Sequence, residues 1–249
     1  MKGNRDARPS PSRAGKVPGD RSVKGERDVP LPSPFSFPPP PSLAALAAVV
    51  DQARRTLDRT YEAREQSLQR CRTVVRHSAN AIRSAHRGEV AAARGLLDGC
   101  RRLLDEVEAL LGDHPDVYHA GFVHDAQKEF VEAESFVALV RGDALPDPEA
   151  LRANIPAYLN GLGECVGELR RYVLDLLRRG QHEPCEGLLV AMDEIYAALV
   201  TLDYPEAITG GLRRTADSVR GILERTRGDL TLAVRQQALA DRLDRLRLP

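Results

Sequence analysis

The sequence contains no tryptophan and few aromatic residues of any kind, which together make up only 4% of its 249 residues. It also has no excess of charge, because 36 basic side chains balance 36 acidic ones. Bulk charge therefore does not indicate a nucleic-acid-binding protein, and any basic surface has to arise from segregation of charge along the chain. With 42% hydrophobic residues, the chain can still bury a core in one or two domains.

Cysteine is also scarce, and long apolar runs are absent. None of the four cysteines belongs to a Cys-x-x-Cys pair, so their spacing disfavours a zinc site. We expect them to be free thiols in a reducing cytoplasm. No apolar run approaches about 18 residues, and the N-terminus carries charges without the apolar centre of a signal peptide. These patterns predict a cytoplasmic protein with no membrane-spanning helix.

Residues 1–41 are predicted to form a disordered tail. The segment holds ten of the 17 prolines, and its eight basic side chains outnumber four acidic ones. Such a composition cannot bury enough apolar surface to fold, and the prolines at 38–41 favour polyproline II geometry. The tail is either an RNA-steering or partner-binding arm or a dispensable extension.

From Ser42 onward the sequence predicts an all-α protein. No Gly or Pro interrupts residues 43–87, which is typical of one long helix or of two nearly collinear helices. A helix of that length normally needs a bundle or a neighbouring chain to cover it. We predict one domain over residues 42–249, an elongated bundle of about seven helices. The predicted helices span residues 42–87, 89–111, 122–140, 147–153, 156–179, 184–200 and 206–247.

The fifth predicted helix is unusual for its glycines. Asn154 is a suitable N-cap, and Gly180 is a suitable stop. Between them lie Gly161, Gly163 and Gly167, each of which costs roughly 1 kcal/mol of helix propensity relative to Ala. A helix that retains three glycines is expected to have a neighbour that approaches its backbone closely.

Two of the predicted helices carry carboxylates that break local rules. Glu129 and Glu132 lie at the edge of the apolar stripe of the third helix, in a row begun by Asp125. Glu164 and Glu168 are spaced i, i+4 on the glycine-rich helix. Like charges at this spacing repel, and a carboxylate against an apolar face is unfavourable unless it is paired or binds a metal. Clusters of such exceptions tend to mark functional sites.

Two segments, DAQKEFVEAESF and PAYLNGLGECVGELRR, resemble the translin superfamily in their order and spacing. Residues 61–88 and 184–243 extend the resemblance, which covers roughly residues 43–245. It is closer to the catalytic branch, translin-associated factor X, than to translin itself. The resemblance implies a helical protein that assembles as a hollow octamer. The balanced charge and the short connection between the two acidic helices favour an archaeal-type homologue that forms a homo-oligomer.

The same resemblance implies a set of site residues. In the catalytic branch, carboxylates on two helices hold Mg²⁺ and cleave RNA inside the shell. The Glu-x-x-Glu element of that branch matches Glu129 and Glu132, and its Asp/Glu-x-x-x-Glu element matches Glu164 and Glu168. These four residues are therefore the predicted catalytic and metal-binding residues. Position 164 departs from the usual Asp of the eukaryotic factor, and the extra methylene of Glu can alter the metal geometry.

Oxygen ligands without thiolates select Mg²⁺ or Mn²⁺ over Zn²⁺. Together with this preference, the resemblance implies a Mg²⁺-dependent endoribonuclease acting on single-stranded RNA or on single-stranded regions of RNA. Two alternatives remain open, a non-catalytic protein of the translin type that binds single-stranded RNA or DNA, and a helical adaptor that binds only protein. Helix periodicity by itself puts Glu164 and Glu168 opposite the apolar stripe, where charges normally face water.

The first predicted helix has a basic central part. The resemblance implies that basic residues on this helix line an RNA-facing surface, whereas the alternative is a solvated helix face. The arginines of this helix are interleaved with only one tyrosine, and such a pattern is a weak signature of nucleic-acid binding. The predicted RNA-binding residues are Arg70, Arg76, His77, Arg83 and Arg87.

Overall fold

The computed structural model describes residues 43–246, and that range is helical with no β-strand. A short 3-10 turn, Leu43–Ala45, precedes eight α-helices in this part of the chain. The prediction of an all-α fold is confirmed, whereas the predicted tail of residues 1–41 lies outside the described residues. The helices are α1 (Leu46–His86), α2 (Val90–Leu111), α3 (Pro115–Tyr118), α4 (Phe122–Arg141), α5 (Ile155–Arg178), α6 (Glu183–Leu199), α7 (Glu206–Thr209) and α8 (Leu212–Leu246).

The chain divides into two units between Leu46 and Ala47, and every helix belongs to the second unit apart from the first residue of α1. Within the second unit α5 is central, because it contacts α4, α6, α7 and α8. Its core-facing residues recur at three- and four-residue spacing and are buried. They include Leu162, Val166, Leu169, Val173 and Leu176.

Glycines on α5 allow its closest helix contacts. A Cβ atom at Gly161 would lie 2.6 Å from the carbonyl oxygen of Lys128 on α4. A Cβ atom at Gly163 would lie 2.2 Å from Cγ2 of Thr215 on α8. Neither separation is sterically allowed, so the expected close approach is confirmed at these two positions. At Gly167 the nearest neighbour would be 4.0 Å away, which is ordinary van der Waals contact.

The ends of α5 follow the predicted signals. The side chain of Asn154 accepts a hydrogen bond of 2.9 Å from the backbone N–H of Ala157, which satisfies a donor in the first turn. Gly180 follows the helix with φ of 74°, a left-handed conformation that glycine adopts without strain. Both the cap and the stop are therefore confirmed.

Two predicted helices differ from the structure. The short helix predicted at residues 147–153 is wrong, because the segment forms turns and Arg152 takes a positive φ of 46°. Ion pairs from Arg152 to Asp105, at 2.8 Å, and to Glu108, at 2.6 Å, hold it against α2. The last predicted helix is interrupted at Gly210 and Gly211, whose φ angles of 62° and 90° separate α7 from α8.

All four cysteines are free thiols, as predicted, and all are buried. They are Cys71, Cys100, Cys165 and Cys185. Burial raises the pKa of the Cys71 and Cys100 thiols to about 11, so both are protonated near neutral pH. Within residues 43–246, every helix is either too short or too polar to span a lipid bilayer.

The packing of α4 against α5 predicts that Gly161→Ala destabilises the protein. The added methyl group must push against the α4 backbone, and overpacking of this kind costs about 1–3 kcal/mol. Urea unfolding followed by circular dichroism, at one fixed protein concentration, measures this loss.

The matched control is Gly187→Ala in α6, where a Cβ atom would meet no neighbouring atom within 4 Å. This substitution should leave stability unchanged or raise it by up to about 1 kcal/mol through helix propensity. Equal stability of the two variants would contradict the close approach of α4 and α5.

Candidate metal centre

Three of the four predicted carboxylates meet between α4 and α5. Glu129 and Glu132 lie one turn apart on α4, and Glu164 faces them from α5. One oxygen from each side chain lies within 4.8 Å of the other two, and all three residues are partly buried. We call these three residues the carboxylate cluster. Gly161, less than one turn before Glu164, is the residue that lets the two helices come close enough to form it.

Electrostatic repulsion and burial shift the acidity of the cluster. The pKa of Glu132 is raised to about 8, chiefly by burial and then by the negative charges of Glu129 and Glu164. Burial likewise raises the pKa of Glu129, and Glu164 and Asp125 add to the effect. A cation bound between the oxygens would relieve this repulsion, which is the property expected of a site for a hard divalent ion.

Lys128 supplies a positive charge to the cluster. Its Nζ atom lies 2.7 Å from Oε1 of Glu164, in a partly buried ion pair. A single ammonium group beside three carboxylates leaves net negative charge. The donor set therefore fits Mg²⁺ or Mn²⁺, which prefer carboxylate oxygens. Every member of the metal-ligand group found within residues 43–246 is a carboxylate.

Glu168, the fourth predicted ligand, is engaged elsewhere. Its Oε2 atom lies 2.7 Å from Nε2 of His86 at the end of α1 and 3.5 Å from a guanidinium nitrogen of Arg171. The hydrogen bond with His86 is the main cause of the lowered pKa of Glu168. His86 is buried, and its ring lies 4.7 Å from that of Phe136. Glu168 therefore lies beside the carboxylate cluster without joining it.

His86 was not predicted as part of the site. It is 82 positions away from Glu168 in the chain, and no local pattern connects the two residues. Only the packing of the end of α1 against α5 brings them together. Asp125, which begins the row of carboxylates on α4, is exposed, and its charge acts on Glu129 and Lys128.

A groove of about 450 Å³ opens beside the carboxylate cluster, between α5 and α8. Glu132 and Glu164 line one side of this groove, which we call the α8 groove. Its other lining residues are Gly163, Arg214, Thr215, Ser218 and Ile222. No local pattern of residues indicates that the start of α8 borders the acidic residues.

The predicted RNA-binding residues of α1 divide into two groups. Arg76, Arg83 and Arg87 are exposed, and Arg87 forms an ion pair of 2.6 Å with Glu89. Arg70 and His77 are half-buried, with Arg70 bonded at 2.6 Å to Glu106 on α2. A solvent-facing contact with RNA thus remains a prediction for the first group, whereas in the second group Arg70 already has a partner within the fold.

Three further histidines, His114, His119 and His124, precede the acidic residues of α4 in the sequence. Nδ1 of His114 lies 3.3 Å from the hydroxyl oxygen of Thr60, and His114 occupies the cap position of α3. His119 and His124 line a separate depression near Gly210. These residues do not contribute to the metal-ligand group of the described chain.

Comparisons with known proteins give related chains, although no family model matches. An uncharacterized protein of Methanocaldococcus jannaschii is 29% identical over 188 residues, which cover 74% of this chain and 82% of that protein. The solved structure of AfC3PO in a complex with duplex RNA is 33% identical, with a TM-score of 0.72, over 76% of this chain and 98% of that one. Apo-NeC3PO shares the fold, with a TM-score of 0.68 and 20% identity over 74% of this chain and 96% of that one.

The charge balance of the carboxylate cluster predicts the effect of Lys128→Gln. In EDTA the melting temperature should fall, because the three carboxylates lose their neighbouring positive charge. The rise in melting temperature on adding MgCl₂ or MnCl₂ should exceed that of the wild type, since a more negative site binds the cation more tightly and binding stabilises the folded state.

Thermal melting followed by circular dichroism measures both effects. The matched control is Arg102→Gln, which removes an exposed positive charge from α2 and should leave the metal-dependent shift unchanged. A metal-dependent shift in Lys128→Gln no larger than in the control would contradict the assignment of the cation site.

Proposed function

Because this chain belongs to the translin superfamily, we propose that it is a Mg²⁺-dependent endoribonuclease that cleaves single-stranded RNA at the carboxylate cluster. The observation that carries the proposal is the meeting of Glu129, Glu132 and Glu164 within 4.8 Å. The relative AfC3PO, described in a complex with duplex RNA, supports RNA as the class of substrate. The family resemblance supports catalysis, because it matches the branch that has these carboxylates.

Glu129, Glu132 and Glu164 are the proposed ligands of Mg²⁺, with Mn²⁺ as a substitute. Bound there, the ion would polarise the phosphodiester and lower the pKa of the attacking group, either a water molecule or the 2′-hydroxyl group of the substrate. The partial burial of the three carboxylates excludes part of the surrounding water, which strengthens electrostatic interactions with the substrate. Glu168, predicted as a fourth ligand and catalytic residue, keeps its place near the site, and its bond to His86 favours a supporting role.

We also propose that the protein works as a homo-oligomer in the cytoplasm. Two helix segments expose apolar side chains that the rest of the described chain does not cover, and such faces normally pack against a partner. The family resemblance supports an octamer. The exposed side chains are Val49, Val50, Leu57 and Tyr61 on α1, and Leu232, Leu239, Leu243 and Leu246 on α8.

A non-catalytic protein that binds single-stranded RNA or DNA is the second candidate. The contact of 2.7 Å between Lys128 and Glu164 favours it, because the ammonium group already neutralises one of the three carboxylates. In that case the cluster would be a structural ion-pair network rather than a metal site.

Cleavage of labelled RNA by the purified full chain separates the two candidates. Single-stranded and duplex oligoribonucleotides of the same sequence are incubated with MgCl₂ or EDTA. Glu132→Gln preserves the side-chain shape and removes one charged ligand. We expect cleavage of the single strand to need Mg²⁺ and to fall by about a hundredfold or more in the variant, because a catalytic metal contributes several kcal/mol to transition-state stabilisation.

The matched control is Glu186→Gln, which changes an exposed carboxylate of α6 outside the cluster and should retain full activity. Light scattering on each protein checks the assembly, and a monomeric wild type would contradict the proposed oligomer. RNA binding without metal-dependent cleavage would reject the nuclease in favour of the second candidate. Cleavage that survives in Glu132→Gln would move the active site away from the cluster.

A further inference from the structure

We propose that the α8 groove binds the sugar–phosphate backbone of RNA next to the carboxylate cluster, with Arg214 as the phosphate-binding residue. This inference rests on the proposed function, and it adds the substrate contacts. The inference is drawn from the two walls of the groove. Glu132 and Glu164 form one wall, and the facing wall consists of Arg214, Thr215 and Ser218.

The start of α8 is fixed against α5 by specific contacts. Thr215 packs at Gly163, where no side chain intervenes. The hydroxyl group of Thr215 donates a hydrogen bond of 2.6 Å to the side-chain oxygen of Asn160, a buried residue of α5. Asn160 in turn donates to the carbonyl oxygen of Thr209, at 2.8 Å, just before the break between α7 and α8. The α8 wall of the groove is therefore held in register with the residues that bear the carboxylates.

Arg214 has charge available for a ligand. Its side chain is 80% exposed, and its nearest acidic partner, Glu206, is 3.7 Å away and itself exposed. Such surface ion pairs contribute little to stability, so the guanidinium can exchange this partner at small cost. Gly211, with φ of 90°, has no side chain where the guanidinium lies, only 3.2 Å from the position of a Cβ atom there. The backbone break thus also makes room for Arg214.

A phosphodiester needs a positive group at this place. The carboxylate cluster repels an approaching phosphate, and a guanidinium on the facing wall offsets that repulsion. The planar guanidinium also offers two parallel N–H donors to a phosphate group, which fixes its orientation. Ser218, exposed one turn further along α8, adds a hydroxyl group that can hydrogen-bond to a phosphate or ribose oxygen.

The groove favours recognition of the backbone over recognition of the bases. None of its described lining residues is aromatic, so it lacks the stacking platforms that hold single-stranded bases. Arginine and hydroxyl side chains on phosphate and sugar position a strand without reading its sequence. We therefore infer that the substrate is RNA of any sequence, held by its backbone.

RNA binding in EDTA tests the inference without cleavage. Fluorescence anisotropy of a labelled single-stranded oligoribonucleotide is measured over a series of salt concentrations with the full chain. In Arg214→Ala, affinity should fall by about tenfold, which corresponds to about 1.4 kcal/mol. The slope of log affinity against log salt concentration should shrink in magnitude by about 0.7, the value for one lost phosphate contact on a single strand. Arg214→Lys should keep the slope, because its charge remains.

The matched control is Arg213→Ala. Arg213 is the neighbouring exposed arginine of α8, but it pairs with Asp203 at 2.8 Å and does not line the groove. The Arg213→Ala substitution should leave both the affinity for RNA and the salt slope unchanged. A mixed-sequence strand and a uridine homopolymer should bind Arg214→Ala with the same relative loss.

The outcomes separate this inference from the proposed function. Equal affinities of Arg214→Ala and Arg213→Ala would overturn the inference, even if the wild type cleaves RNA. If Arg214→Ala alone loses affinity for RNA and the wild type never cleaves RNA, RNA binding in the α8 groove would be supported and the nuclease activity rejected. A wild type that binds no RNA would overturn both.

Discussion

The close packing of α4 against α5 is the constraint on which the candidate site depends. Gly161 faces the α4 backbone at Lys128, and the residues that flank this contact in the two helices are those that carry the carboxylates. A larger side chain there would separate the helices and with them the oxygens of the cluster. Two glycines that weaken α5 as an isolated helix therefore make possible the contacts that position its functional groups.

The acidic residues between α4 and α5 are partly compensated by neighbouring side chains. The three partly buried carboxylates of the cluster repel one another, and the ammonium group of Lys128 beside Glu164 reduces this repulsion. The fourth carboxylate, Glu168, is hydrogen-bonded to His86 instead. These two contacts divide the acidic residues into a cluster that still carries net negative charge and a single carboxylate that is satisfied within the fold. Such a division is the expected environment for an exchangeable cation next to a fixed supporting residue.

Local signals predicted much of the fold, and the resemblance supplied the site. Periodicity and caps predicted the helices, and the cost of the glycines correctly indicated a close approach to α5 at two of the three positions, Gly161 and Gly163. The pairing of His86 with Glu168 could not be predicted, because the residues are 82 positions apart and no local rule links them. The same holds for Arg214, which reaches the α8 groove only because Gly210 and Gly211 break the last predicted helix. Turns held by distant ion pairs, as at Arg152, also escape local reasoning.

The most direct test of the central claim is anomalous diffraction from crystals of the protein soaked in MnCl₂. The account predicts a manganese peak coordinated by Glu129, Glu132 and Glu164, with the Lys128 ammonium displaced from its position 2.7 Å from Glu164. A manganese-soaked crystal with no peak at the cluster, and with the Lys128–Glu164 pair intact, would contradict it.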